Sequence, residues 1–307
     1  MRACIPLLLP ALLAACSGPR PADGTGGPLR ICSQRFDRDH DTLFLSIEHH
    51  AVQDTARVMV KGRAIRSMAI GPGDQHSIFL VGLNGTEWNS RFLTVQFLDG
   101  DSVTQRRVRE TAGKWEQVCG IRFKFDQASP LPDIRISFKE QGSWSYVGKD
   151  SRKHCPSMNL GWLRPGTDQA EYDRVVLHEF GHAMGFIHEH QSPNAQHAVH
   201  WNRKAVVLYY RDTLGWPEQD IEDFVFRRYR KAETNVLSEF DPLSIMIYAI
   251  SPYHTTDGYG VAWNTKLSAD DITLARALYP MPRPDPALED AAAISATGSA
   301  PIAQNIR

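Results

Sequence analysis

The chain has 307 residues, of which 42% are hydrophobic and 22% charged, and its formal net charge is −1. This is the ordinary mixture of a globular protein, and the length suffices for one large domain or two modest ones with a sizeable core. A charge so close to zero provides no basic field for nucleic acid, so we expect no nucleic-acid partner.

The first residues of the chain, MRACIPLLLPALLAAC, are typical of an export signal. The apolar run is shorter than the ~20 residues of a membrane-spanning helix. Residues 1–15 are therefore predicted to be a signal peptide. The sequence Leu-Ala-Ala-Cys at 13–16 resembles the lipobox of bacterial lipoproteins. That resemblance implies a lipid anchor on Cys16 and a membrane location facing the periplasm or the cell surface; the alternative is a secreted protein.

Two segments of different composition follow the signal. Residues 16–29 are rich in glycine and proline, which predicts a flexible tether. Residues 30–87 contain the short apolar runs LFLSI, RVMV and IFLVGL, separated by turn-forming residues, which predicts a β-rich region. This region could be an N-terminal lobe of the protein or a prosegment that is removed.

Besides Cys16, a mature chain would keep Cys32, Cys119 and Cys155. An exported protein can form disulfides. Because three is an odd number, these cysteines form at most one bridge among themselves, and one thiol stays free.

Residues 88–280 show a mixed strand and helix pattern. Four strands are predicted, in the segments RFLTVQFLDG, IRFKF, DIRISF and SMNLGWL. Capping residues predict helices that begin at Ser102 with Gln105, at Asp168 with Glu171, and at Ser268 with Asp271. Little regular pattern lies between Gly185 and Ser268. Residues 281–307 are rich in Pro, Ala, Ser and Gly, and we expect this tail to be disordered.

The segment HEFGHAMGFIHEH, residues 178–190, places many titratable groups in an otherwise apolar stretch. His178 and His182 are four residues apart, so a helix presents them on one face, where two imidazoles can bind one Zn²⁺. Glu179 can act as the general base toward a water molecule that the metal holds.

His188 would point away from such a site if the helix continued. Gly185 can adopt the left-handed conformation that ends helices, so the chain can turn and bring His188 back to the same metal. The full pattern, H-E-x-x-H-x-x-G-x-x-H, is typical of metzincins. The sequence therefore predicts one zinc ion per chain, held by His178, His182 and His188. The other histidines, such as His190, are expected to be solvated or hydrogen-bonded.

The segment SIMIY, residues 244–248, resembles the Met-turn of metzincins, with Met246 as an apolar floor beneath the histidines. Tyr248 matches the tyrosine that ligates zinc in astacins and serralysins. Glu189, directly after the third histidine, is the astacin choice, whereas serralysins have proline there. With the segments CGIRFKF, DIRISF and GSWSYVG, roughly residues 91–280 resemble the astacin family.

This resemblance implies an α+β metzincin (zincin-like) fold. We expect a twisted mixed sheet, a backing helix, an active-site helix and an irregular C-terminal subdomain. It further implies that residues 88–280 form a metallopeptidase catalytic domain, with Tyr248 as both a zinc ligand and a catalytic residue. Two departures from the family are Ile247, where a histidine is usual, and Ser143, where a cysteine is usual. Cys119 lacks its family partner, so it could pair with Cys32, with Cys155 or with neither.

The predicted function is zinc-dependent hydrolysis of peptide bonds by a monomeric endopeptidase, with a peptide or protein as substrate. We expect the substrate to add as an extended strand along a sheet edge formed by DIRISF. Two alternatives remain open: an extracellular zinc-binding module without proteolysis, and a zinc hydrolase of cell-wall peptides. The intact Glu179 favours catalysis, because a purely structural zinc site needs no general base.

Overall fold

The computed structural model describes residues 32–35, 45–50, 55–60, 63–69, 82, 85–230, 233–234 and 240–282. Within residues 32–69, side chains are described only for Gln34 and Arg35. The predicted signal peptide, the tether with Cys16, and nearly all of the tail predicted for 281–307 lie outside the described residues.

A six-stranded sheet forms the centre of the fold. Its strands are β1 (Cys32–Arg35), β5 (Phe92–Phe97), β6 (Arg122–Phe125), β7 (Ile134–Ser137), β8 (Ser143–Tyr146) and β9 (Met158–Leu160). They lie in the order β1-β8-β9-β7-β5-β6, and all neighbours are parallel except the antiparallel pair β8–β9. A separate antiparallel sheet contains β2 (Leu45–His50), β3 (Thr55–Val60) and β4 (Arg63–Ala69).

The prediction that DIRISF forms a sheet edge is wrong. Strand β7 pairs with β5 on one side and with β9 on the other, so it lies inside the sheet. The alternation of DIRISF does not mark an edge here, because its polar residue Arg135 is half-buried against main-chain carbonyls. The guanidinium of Arg135 donates to the main-chain carbonyls of Ser151, Arg152 and His154 at 3.0–3.3 Å. The antiparallel strand β8 lies one strand from the edge and is itself covered by β1.

Two long helices, α1 (Ser102–Val118) and α2 (Gln169–Ala183), pack against each other beside this sheet. The indole of Trp115 on α1 donates to the carbonyl of Leu177 on α2 at 3.0 Å, and both side chains are buried. The main hydrophobic core therefore holds α2, which carries the histidine motif, in a fixed position.

The helix starts are close to those predicted, with one correction. Helix α1 is capped by Asp101 rather than Ser102, because the carboxylate of Asp101 accepts hydrogen bonds from two main-chain amides of the first turn. Asp168 caps α2 as predicted. Helix α5 (Ala269–Leu278) begins with the predicted capping box of Ser268 and Asp271.

The segment between the third histidine and the Met-turn is more helical than predicted. Helix α3 (Arg203–Val207) continues into a π-helical stretch at Leu208–Thr213, and α4 (Glu218–Ile221) continues into another at Glu222–Phe226. A π-helix has a wider turn than an α-helix, so its apolar residues do not follow the 3.6-residue period. Together these helices enclose a small core of their own, formed by Val206, Tyr210, Ile221, Val225 and Phe226.

Cys119 is buried and carries a free thiol. Cys155 is disulfide-bonded. Cys119 therefore pairs with neither Cys32 nor Cys155. Among the residues that the structure describes, no helix combines the length and apolarity needed to cross a membrane.

Candidate metal centre and active site

Helix α2 ends in a Schellman motif that redirects the chain toward the third histidine. Gly185 has φ +104°, a left-handed conformation that suits glycine. The amide of Gly185 donates to the carbonyl of His182 at 2.8 Å, and the amide of Phe186 donates to the carbonyl of Gly181 at 3.0 Å. The predicted turn at Gly185 is confirmed, and it returns His188 to the two histidines of the helix.

The three histidines of the motif converge on one point. The Nε2 atom of His182 lies 3.1 Å from the Nε2 atoms of both His178 and His188. On the opposite side of each ring, Nδ1 of His178 lies 2.8 Å from the carbonyl oxygen of Ile245, and Nδ1 of His182 lies 2.8 Å from that of Phe186. Since a carbonyl only accepts, these Nδ1 atoms carry the protons and the Nε2 atoms carry lone pairs.

Burial keeps these imidazoles neutral. It lowers the pKa of His178 to about 4. The pKa values of His182 and His188 are also well below the ordinary value, first because of burial and then because of the neighbouring imidazoles. The Nε2 lone pairs of His178 and His182 face each other at 3.1 Å and repel unless a cation lies between them. Nitrogens bound tetrahedrally to zinc at about 2.0–2.1 Å would lie about 3.3 Å apart. The cluster therefore fits a zinc ion.

The remaining predicted site residues surround this cluster. Glu179 follows the first histidine on α2 and is fully buried, as is Met246. The ring of Tyr248 lies with its centre 4.1 Å from that of His188 and 6.2 Å from that of His178. The structure thus brings the three histidines and Tyr248 together, and Glu179 is buried next to His178 in the chain.

Three described histidines outside the motif have partners away from the cluster, as expected. His190 is buried, with its Nε2 atom 3.1 Å from the carbonyl oxygen of Phe224. His197 lies near the surface, and its Nε2 atom is 3.0 Å from Nε2 of Gln196. His200 is exposed and lies 2.9 Å from the carboxylate of Asp257.

Sequence reasoning missed two groups that touch the site. The Gln34 carboxamide oxygen accepts a hydrogen bond from the main-chain amide of His188 at 3.2 Å, and its NH₂ group pairs with the side chain of Gln191. Asp271, expected only as a helix cap, also bonds to the Met-turn. No local pattern marks either contact, because each joins segments far apart in the chain.

The fold and the histidine cluster define a metzincin-type metal-binding domain. The model of the Astacin family of peptidases matches residues 82–259. The solved structure of myroilysin is 34% identical, with a TM-score of 0.61, over 66% of this chain and 99% of that chain. This chain therefore belongs to the astacin family, which uses zinc, and the predicted α+β metzincin fold, family and metal are confirmed.

Longer relatives match over part of their length. Zinc metalloproteinase nas-26 of Caenorhabditis elegans is 32% identical over 123 residues, which are 39% of this chain and 28% of the relative. Tolloid-like protein 1 of Homo sapiens is 28% identical over 184 residues, which are 55% of this chain and 16% of the relative. The chain thus covers less than a third of each of these two proteins.

Proposed function

We propose that the protein is a zinc-dependent endopeptidase in which His178, His182 and His188 hold one zinc ion. The observation that carries this proposal is the convergence of three buried Nε2 atoms, of which those of His178 and His182 carry lone pairs that repel without a cation. A zinc ion bound there would polarise a carbonyl oxygen and lower the pKa of a water molecule.

The chain's own residues supply the rest of the chemistry. Glu179 is buried beside the cluster, where its carboxylate would take a proton from the attacking water. Tyr248, whose ring lies against that of His188, would donate a hydrogen bond to the oxyanion that develops on the scissile carbonyl. The hydrogen bonds from Nδ1 to main-chain carbonyls hold two of the imidazole rings in place.

The substitution Glu179→Gln tests this function. It keeps the size and shape of the side chain but removes the base. We expect unchanged zinc content and kcat/KM lower by ~10²–10⁴-fold toward casein or a peptide library. A variant that keeps its zinc and hydrolyses peptides within a few-fold of the wild type would contradict the assigned role of Glu179.

The physiological substrate could be a protein or a cell-wall peptide, and a noncatalytic zinc-binding module is the remaining alternative. The buried Glu179 next to the histidines favours an enzyme. Cleavage of casein, compared with release of peptides from purified peptidoglycan, separates the two substrate classes. Zinc binding without hydrolysis of either substrate would indicate the module.

We propose that residues 30–87 are a prosegment rather than a lobe of the active enzyme. Strand β1 occupies the outer edge of β8, where Val147 donates its amide to the carbonyl of Arg35 at 3.0 Å. The guanidinium of Arg35 lies 3.5 Å above the ring of Trp144. An extended substrate cannot pair with β8 while β1 is there, so removal of β1 would open this edge to peptides.

We propose further that the protein is an exported lipoprotein that carries a lipid anchor on Cys16. The support is the lipobox-like junction at residues 13–16 after an apolar run. Cys16→Ser should abolish detergent-phase partitioning and lower the mass by that of the acyl groups. Unchanged partitioning and mass would leave the protein secreted without an anchor. We expect the active form to be a monomer.

A further inference from the structure

The Met-turn is held from behind by a buried carboxylate on the C-terminal helix. Asp271 lies at the start of α5 and is fully buried. One of its oxygens accepts a hydrogen bond from the main-chain amide of Ile245 at 2.9 Å. The other accepts a hydrogen bond from the hydroxyl of Ser244 at 2.9 Å. Asp271 therefore binds two consecutive residues of the turn.

These contacts fix the two peptide groups on either side of Ile245. In the first, the amide of Ile245 is held by Asp271, and the carbonyl of Ser244 accepts from Asn264 at 2.9 Å. In the second, the amide of Met246 donates to the hydroxyl oxygen of Ser244 at 3.0 Å. The orientation of the Ile245 carbonyl follows, because it belongs to this second peptide group.

The carbonyl of Ile245 is the group that accepts the Nδ1 proton of His178 at 2.8 Å. A chain of hydrogen bonds thus runs from Asp271 through Ile245 to the first histidine of the cluster. A partner on Nδ1 fixes the tautomer and the ring orientation of a metal-binding histidine. When such partners are removed, metal affinity commonly falls ~10–100-fold.

We propose that Asp271 is a positioning residue of the metal centre, which fixes the His178 imidazole through the Ile245 carbonyl. The inference deepens the proposed zinc site and rests on it. Asp271 also accepts the amide of Ser268 at 2.7 Å, so a role confined to the helix start is the competing explanation. The two roles differ in what they do to zinc affinity in the folded protein.

The experiment measures zinc affinity by chelator competition in folded Asp271→Ala, Asp271→Asn and Ser268→Ala variants of the full chain. Ser268→Ala is the matched control, because it removes the other half of the capping box and leaves the contacts to the Met-turn intact. The asparagine variant keeps an oxygen for the amide of Ile245 and an NH₂ group for the hydroxyl of Ser244.

We expect Asp271→Ala to weaken zinc binding ~10–100-fold, and the other two variants to stay within about threefold of the wild type. Equal zinc affinity in Asp271→Ala and the wild type would overturn the proposal. So would an equal loss in Ser268→Ala, which would place the effect at the helix start, or a failure of Asp271→Asn to restore binding. A wild-type protein that binds no zinc would instead contradict the proposed function itself.

Discussion

Gly181 packs directly against the sulfur atom of Met246. Gly181 lies one residue before the second histidine on α2, and a methyl group on its Cα would overlap that sulfur. Met246 is fully buried beneath the helix. The Met-turn therefore reaches the histidine helix at a point where only a glycine leaves room, so residue 181 sets the distance between the helix and the turn.

Gly181→Ala should destabilise the protein despite the better helix propensity of alanine. Propensity favours alanine by up to ~1 kcal/mol in a helix interior. Overpacking of a filled core costs ~1–3 kcal/mol. We expect a net loss of about 0–2 kcal/mol in the free energy of unfolding, together with weaker zinc binding, as measured by urea denaturation and chelator competition.

Gly113 on α1 provides the control for this substitution. A Cβ atom at Gly113 would meet no atom within 4 Å. Gly113→Ala should therefore stabilise the protein by about 0.5–1 kcal/mol and leave zinc affinity unchanged. If both variants gained stability, the close contact between Gly181 and Met246 would not be a constraint in solution.

The parts of the site that the sequence predicted are those with local patterns. The spacing of His178 and His182, the glycine that ends the helix, and the capping box of Ser268 and Asp271 each depend on residues within one or two turns. Each of these features is caused by interactions between residues that are close in the chain, so a short stretch of sequence is enough to predict it. The Met-turn was found through the family resemblance.

The parts that the sequence did not predict depend on contacts between distant segments. Gln34 reaches the loop of His188 across 154 residues, and Asp271 reaches Ile245 across 26. The interior position of β7 could not be inferred, because an arginine covered by main-chain carbonyls gives the same alternation as a solvated one. Burial that depends on a partner strand or loop leaves no periodic signal.

Tyr248→Phe should lower kcat by ~10²–10³-fold and change KM much less. The substitution keeps the ring that packs against His188 and removes only the hydroxyl. An oxyanion donor acts in the transition state, so its loss affects kcat, and removal of one such donor typically costs this much. Zinc content should not change, because three histidines remain. Tyr253→Phe is the control, since Tyr253 is 86% exposed. If Tyr248→Phe and Tyr253→Phe had equal kcat, Tyr248 would be a packing residue only.

Asp271 should make stability depend on pH. Burial raises its pKa to about 7, and the nearby Asp241 carboxylate acts in the same direction. Hydrogen bonds from the Ser244 hydroxyl and from the amides of Ile245 and Ser268 oppose this shift. The folded state therefore holds a proton that the unfolded state has lost between about pH 4 and 7. This contribution to stability is fully present below the unfolded pKa and is lost as pH rises through about 7.

The matching variant is Asp271→Asn, which cannot ionise. Between about pH 4.5 and 7.5, the zinc-free wild type should lose about 1–3 kcal/mol more stability than this variant. Urea denaturation at both pH values, with metal removed so that zinc release does not contribute, gives the difference. Parallel stability profiles would show that Asp271 ionises normally in the folded protein.

Cleavage within residues 70–81 should activate the enzyme if the N-terminal region is a prosegment. Strand β1 covers the edge of β8, and Gln34 touches the loop of the third histidine, so β1 competes with any peptide that must reach both.

A protease recognition sequence placed within residues 70–81 allows the folded chain to be cut and assayed before and after cleavage. Cys155 is disulfide-bonded and Cys119 is free, and the other cysteines of the chain precede residue 70, so the cut fragment stays attached until that disulfide is reduced. We expect kcat/KM toward a peptide to rise at least about tenfold after cleavage and reduction, when the fragment dissociates, because tenfold corresponds to only about 1.4 kcal/mol of competing contacts. Gln34→Ala should raise the activity of the uncut chain by loosening the same contact. A cut chain that still retains the fragment after reduction, or that loses thermal stability and activity together when the fragment leaves, would instead identify residues 30–87 as a lobe of the active enzyme.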